Sequence, residues 1–414
     1  MNGALYRFTL IFLFFSTFTI AQNLDGLKLK KGKWHSELRL IESDILPFEL
    51  VVSKMKGDYQ FSVMNGEEEI ELASPRVVND SVYVPFSVFN SELIFLVKNK
   101  KNIEGWWYNY NKGKNYRIAF RAFKKKTNRF ITSTSQRKKD SLDISGKWEV
   151  TFQPNTNSSY PAVGIFEQNK STVTGTFLTE TGDYRYLAGN TIHDSLFLSC
   201  FDGSHAFLFK AAYYNGNLDG KFFSGNHWKS SWIGKKNDTF ELTDPEKLTY
   251  LEEDHDFSFN LPDLNGDTLS FPNDNYMNKV VIVQIMGSWC PNCLDETRYF
   301  KELYSEHHDR GLEIISIGYE TGNSSDDFKR NIERFKNSLD LDFTFLVGGK
   351  ASKGLAKEHF SMLNNIISFP TTIFIGRDGE VKRVHTGFSG PGTGDYYIEY
   401  VNKTNALIES LLAN

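Results

Sequence analysis

Two cysteines, Cys290 and Cys293, stand just beyond a strand that reads as fully buried. Val280–Ile285 (VVIVQI) is a near-continuous, β-branched apolar run, the pattern of a central strand covered on both faces. Met286-Gly287-Ser288-Trp289-Cys290-Pro291-Asn292-Cys293 follows at once, and helical sequence continues to about His308. The cysteines thus sit where a strand hands over to a helix. A helix N-terminus presents unpaired N–H groups and a partial positive charge. Cys290, at that end, gains thiolate stabilisation and is the expected attacking sulfur. Cys293, one turn deeper, is expected to resolve the mixed disulfide. Pro291 suits the first helical turn, where its missing N–H needs no partner. Glu296 lies three residues past Cys293 and on its side of the helix. A carboxylate there is placed to take the Cys293 proton or to raise thiol pKa by like-charge repulsion. The competing reading is an exposed helical Glu with no role.

The rest of this region alternates strands and helices. Leu312–Ile317 reads as a second buried strand and Ser325–Ser338 as a helix with Asp326 and Asp327 in its first turn. A short strand at Phe343–Val347 and a helix at Lys350–Phe360 follow. Phe369-Pro370-Thr371-Thr372 leads into Ile373–Ile375, a turn at Asp378-Gly379, Val381–Thr386 and a closing helix at Asn405–Ala413. This order, with Trp-Cys-x-x-Cys at the first strand–helix junction, resembles the thioredoxin fold.

The chain from about Asp256 to Asn414 resembles the TlpA/ResA-like branch of periplasmic thiol–disulfide oxidoreductases. The opening hairpin Phe257–Phe271, the motif Gly287–Cys293, Glu296 and the turn Ser368–Thr372 carry the match. The resemblance implies a functional role for Glu296 and a cis bond before Pro370, facing the cysteines and leaving a backbone edge free for a substrate segment. It also implies that Trp289 and Pro291 support the motif, and that a redox-active Cys290–Cys293 disulfide takes the place of any bound cofactor. Two positions depart from the pattern. Gln284 stands where thioredoxins have a buried Asp and this branch usually Asn, and Thr297 replaces a proline common after the glutamate.

Rival readings of the pair are weaker. A zinc site needs two more ligands, and His307 and His308 are adjacent rather than spaced for one. A structural disulfide closing so short a loop gains little. A peroxiredoxin would want Thr where Gly287 stands. A thioredoxin domain used only for docking stays open.

The first 240 residues carry a repeat. Gly32-Lys33-Trp34 returns as Gly146-Lys147-Trp148, and Asp80–Val84 returns as Asp194–Leu198, both 114 positions on. Ile103-Glu104-Gly105-Trp106 matches Leu218-Asp219-Gly220-Lys221 at 115. Short segments rich in Val, Phe and Tyr, such as Phe48–Ser53, Tyr59–Met64 and Ala206–Ala211, are separated by turn residues, and Asp183–Leu187 is read as one more strand. Eight candidate strands per copy suggest a small up-and-down barrel. The Gly-Lys-Trp opening resembles the Gly-x-Trp start of lipocalin- and avidin-like barrels, with Trp34 and Trp148 as end plugs. Only 3 cysteines occur, too few for a disulfide-stapled scaffold, and Cys200 reads as a buried small hydrophobe.

The expected architecture is a signal peptide (1–21), two all-β barrel-like repeats (22–126 and 140–236) and an α/β thioredoxin-like domain (253–414). The basic stretch from Lys124 to Lys139 and the charged stretch Lys235–Asp256 read as solvated linkers. Parts before and after about residue 245 are expected to fold independently. Phe8–Ile20, apolar behind Arg7 and followed by Ala21, reads as an export signal, with an uncleaved membrane anchor as the alternative. A net charge of −4 provides no electrostatic case for nucleic acid. The expected function is an exported oxidoreductase that reduces disulfides of periplasmic client proteins, with neither metal nor nucleic acid as partner. The family resemblance implies supply of electrons by a membrane donor of the DsbD or CcdA type. A docking protein, or an oxidase or isomerase, is the alternative.

Overall fold

The computed structural model describes residues 28–125, 128–130, 142–253 and 255–413. The expected leader and the basic residues Lys126 and Arg137-Lys138-Lys139 lie outside the described residues.

The second repeat is a closed antiparallel barrel. Its eight long strands run in sequence from Gly146–Phe152 to Trp228–Lys236, apart from the two-residue strand Gly182–Asp183, and the first pairs with the last. Alternating side chains fill the interior with aromatic rings. Phe177 lies 4.7 Å from Phe209 and 5.2 Å from Trp232. The repeat is visible at atomic level. Trp148 Nε1 donates to the Ile144 carbonyl at 2.8 Å, and Trp34 Nε1 makes the same bond, four residues back, to Lys30 at 2.8 Å.

The first repeat departs from expectation: its nine strands, Gly32–Arg39 through Arg117–Phe123, form a half-barrel that does not close. The edge strands Glu68–Glu71 and Arg76–Val78 are not paired with each other. Phe201, from strand Ser195–Phe201 of the second repeat, enters the core of the first, 4.6 Å from Phe48 and 5.0 Å from Trp107. Asn65 Nδ2 donates to the Phe201 carbonyl at 2.9 Å, and the Phe201 N–H donates to Asn65 Oδ1 at 3.1 Å. Cys200, one residue back and so on the opposite face, is fully buried in the second barrel's own core.

Three further expectations are corrected. The segment between the repeats is not simply solvated. Arg129 Nε donates to Ser199 Oγ at 2.8 Å and Nη1 to the Met64 carbonyl at 3.0 Å, pinning the two repeats together. Asp183–Leu187 is not one strand. Pairing ends at Asp183 and resumes at Leu187, because Arg185 adopts φ +56°, an uncommon conformation for a non-glycine residue. The closing helix is Asp395–Ala413, starting ten residues before the expected Asn405. Only Tyr400, Thr404, Ile408 and Leu412 of it are buried, a one-residue-wide stripe that hides its start in the sequence.

The C-terminal domain is a thioredoxin fold. Its sheet runs Thr344–Lys350, Leu312–Glu320, Val280–Met286, Thr371–Ile375, Val381–Thr386; the first three are parallel, Thr371–Ile375 is antiparallel to Val280–Met286, and Val381–Thr386 is antiparallel to Thr371–Ile375. Every residue of the central strand Val280–Met286 is buried. The stretch Lys235–Asp256 is partly a strap on this domain: the Glu252 N–H donates to the Met362 carbonyl at 2.9 Å and the Asn364 N–H to the Tyr250 carbonyl at 3.0 Å.

Candidate active site

The helix Pro291–His307 begins directly after the central strand, with Pro291 in its first turn and Cys290 as its N-cap. The Cys293 N–H donates to Cys290 Sγ at 3.3 Å, so the sulfur occupies the place of a capping oxygen. Cys290 Sγ–H in turn donates to the Phe369 carbonyl at 3.4 Å. Phe369–Pro370 is a cis bond, as the family resemblance implied, and it lies against the Cys290 sulfur. Cys290 keeps 6% of its surface exposed, whereas Cys293 is wholly buried. Burial, then hydrogen bonding to Cys290 and the two sulfurs' mutual repulsion, push the Cys293 thiol well up, and the Glu296 charge adds to this.

Glu296 is fully buried, not an exposed helical side chain. It accepts from Gln284 Nε2 at 2.8 Å, Thr372 Oγ1 at 2.9 Å and Tyr400 OH at 3.0 Å. Burial raises its pKa to about 7, against the lowering effect of those three donors. Gln284 has a definite task there. Its Oε1 accepts from Thr297 Oγ1 at 3.1 Å and Ser316 Oγ at 2.9 Å, which turns its amide NH2 toward Glu296. The two departures from the family pattern, Gln284 and Thr297, are therefore bonded to each other. Trp289 Nε1 donates to the Tyr319 carbonyl at 2.9 Å, and its ring meets Phe369 edge-on at 6.2 Å.

Several residues not singled out from the sequence also belong here. Glu320 accepts from both the Ser288 N–H and Oγ–H at 2.7 Å, and burial raises it to about 7. Its sequence signal was a carboxylate ending a buried strand. Ser204 of the second barrel donates to the Trp289 carbonyl at 2.7 Å, and Arg185 Nη1 donates to the Pro291 carbonyl at 3.1 Å. The carbonyls on both sides of Cys290 are thus held by the barrel. Arg185 is also paired with Asp295, Glu68 and Asp202, carboxylates from all three domains. Ser368, two residues before Pro370, donates to the Thr181 carbonyl at 2.7 Å, and the Gly390 N–H donates to Asp183 at 2.6 Å.

The Redoxin family profile matches residues 253–397, the segment that holds both cysteines, Glu296 and Pro370. Over those residues the chain is similar to the Redoxin family. Among curated proteins, the chain is 29% identical over 130 residues to the thiol-disulfide oxidoreductase ResA of Halalkalibacterium halodurans, covering 31% of this chain and 65% of that protein. ResA of Geobacillus kaustophilus is 28% identical over 129 residues, 31% of this chain and 66% of that protein. The chain therefore spans just under two thirds of the length of these relatives. A thioredoxin-family thiol:disulfide interchange protein from Chlorobium tepidum, of known structure, is 18% identical, covers 38% of this chain and 94% of that one, and has a TM-score of 0.29.

Proposed function

We propose that the chain is a thiol–disulfide oxidoreductase that reduces disulfides of client proteins through Cys290 and Cys293. One observation carries this: the Cys290 sulfur caps the helix, accepts the Cys293 N–H, and lies against the carbonyl preceding cis-Pro370. The Cys290 thiolate attacks one sulfur of a client disulfide, and the client's other sulfur leaves as a thiolate. Cys293 then loses its proton and attacks Cys290, forming the Cys290–Cys293 disulfide and releasing the second client thiol. Two electrons pass from the dithiol to the client, and the client thiolates take up two protons. Glu296, ionised above about pH 7, is the base for the Cys293 proton. Regeneration needs a dithiol donor, for which we propose a membrane protein of the DsbD or CcdA type. Export behind residues 1–21 into the periplasm, soluble or still anchored by that segment, fits this chemistry. Among the described residues no helix is long and apolar enough to cross a membrane.

The test is capture and potential together. In Cys293→Ser the mixed disulfide has no resolving thiol, so clients accumulate on Cys290 and are released by reductant. The Cys290–Cys293 potential should lie near thioredoxin's, about −270 mV. A value near −120 mV would make the protein an oxidant, and a folded trap that captures nothing would leave only the docking reading.

A further inference from the structure

The Redoxin domain meets both β repeats around a cavity of about 360 Å³, within the roughly 300–1,000 Å³ of ordinary binding clefts. Trp289 and Phe369, the residues directly before Cys290 and Pro370, line it, and their rings meet edge-on. The first repeat contributes Asn109 and Lys112, the second Ser204, and the Redoxin domain Lys353 on the facing side. These walls are bonded together rather than merely adjacent. Asn109 Nδ2 donates to the Ser204 carbonyl at 2.9 Å, and Ser204 Oγ–H donates to Trp289 beneath it. Thr321 Oγ1 donates to Asn111 Oδ1 at 3.0 Å, fastening the first repeat to the Redoxin domain on the other flank.

The charge is one-sided. Among the described residues no carboxylate lines the cavity, whereas Lys112 and Lys353 do, both exposed. Among the described residues neither is ion-paired; the Lys112 ammonium lies 3.3 Å from a ring nitrogen of His227. The nearest carboxylate, Asp202, is fully buried beside Arg185 and His205 and acts on Lys112 only at a distance, while nothing pairs with Lys353 among the described residues. A segment entering here meets the Trp289 and Phe369 rings, the sequence neighbours of Cys290 and Pro370, and a rim carrying two lysines.

We infer that the two β repeats and the Redoxin domain together form the client groove, and that it takes an extended client segment with an acidic side chain beside its disulfide cysteine. This rests on the reading of the protein as a disulfide reductase. It makes the repeats part of substrate selection rather than spacers.

Two disulfide-bonded peptides, identical except for Asp or Lys flanking the cysteine, test it on the reduced full-length protein. At low salt the Asp peptide should be reduced about tenfold faster, the size two exposed ion pairs support. The ratio should fall toward one as salt screens the rim. Lys112→Gln with Lys353→Gln should remove the preference, and Lys112→Glu with Lys353→Glu should reverse it. A ratio of one in the native protein, or a ratio untouched by both double variants, overturns the inference. Bis(2-hydroxyethyl) disulfide, small and neutral, separates the two readings. If the native protein fails to reduce it, the reductase reading falls. If it is reduced while the peptides react alike, only the groove falls.

Discussion

Arg185 of the second barrel donates to the carbonyl of Pro291, the residue following Cys290, at 3.1 Å. A side chain from outside the Redoxin domain thus holds the Cys290–Cys293 turn. The same guanidinium is the shared counter-charge of Glu68, Asp202 and Asp295, the last two buried and Glu68 half-buried. Without it Asp295, whose carboxyl burial already raises to about 6, loses its principal partner.

Arg185→Met should therefore be strongly destabilising, by about 3–5 kcal/mol, as expected when one partner of a buried ion network is removed. Adding Asp295→Asn should restore part of the loss, because one uncompensated charge goes with it. Urea denaturation of the three proteins checks this. Equal midpoints for Arg185→Met and the native protein would mean that water already screens the network.

Glu296→Gln should slow disulfide exchange, on the order of 10²-fold, by removing the base for Cys293. The effect has a pH signature. With a pKa of about 7, the native carboxyl becomes a base only as pH rises through neutrality, so the resolving step should accelerate there. The variant should lack that limb, while its thiol limb at higher pH persists. Identical pH–rate profiles would show that solvent takes the proton.

Glu320 offers a stability prediction separate from the chemistry. Its pKa is about 7 in the folded chain against an ordinary value of 4.5, so the folded state holds the proton more tightly. Between those values the unfolded chain is ionised and the folded one protonated. Stability must then fall as pH rises from about 4.5 to about 7, by roughly 3 kcal/mol from this group. Glu296 acts in the same direction over the same window. In Glu320→Gln the amide can still serve Ser288, and the decline with pH should be shallower. A series of denaturation curves across this range decides it; a native protein that grows more stable over the whole interval would contradict the assignment.

Alkylation of the reduced protein followed by mass spectrometry should label Cys290 first. Cys293 is wholly buried with its thiol pushed up, and Cys200 is sealed in the barrel core, where burial likewise pushes its thiol up. Labelling of Cys293 ahead of Cys290 would reverse their roles.

The strand Val280–Met286, the cysteines at the head of its following helix, and Pro370 before its strand were legible because each is a local pattern. Side-chain period, capping position and spacing along one helix need only neighbouring residues. Glu296 was legible as to its side of the helix, but not as to its burial. That depends on Gln284, Thr372 and Tyr400, which are 12, 76 and 104 residues away. The repeat was legible from spacing, yet the open form of its first copy was not, since Phe201 of the second copy fills that core. Arg185 gave no signal at all. In the chain it is one charged residue among many, and its partners Asp295 and Glu68 stand 110 and 117 positions away. Local chemistry along the chain thus determined the fold of the Redoxin domain and placed Cys290 at the head of its helix. Only tertiary packing decided that the β repeats reach the active site, because a buried charge acquires its partners from whichever surfaces meet, and sequence spacing carries no record of that meeting.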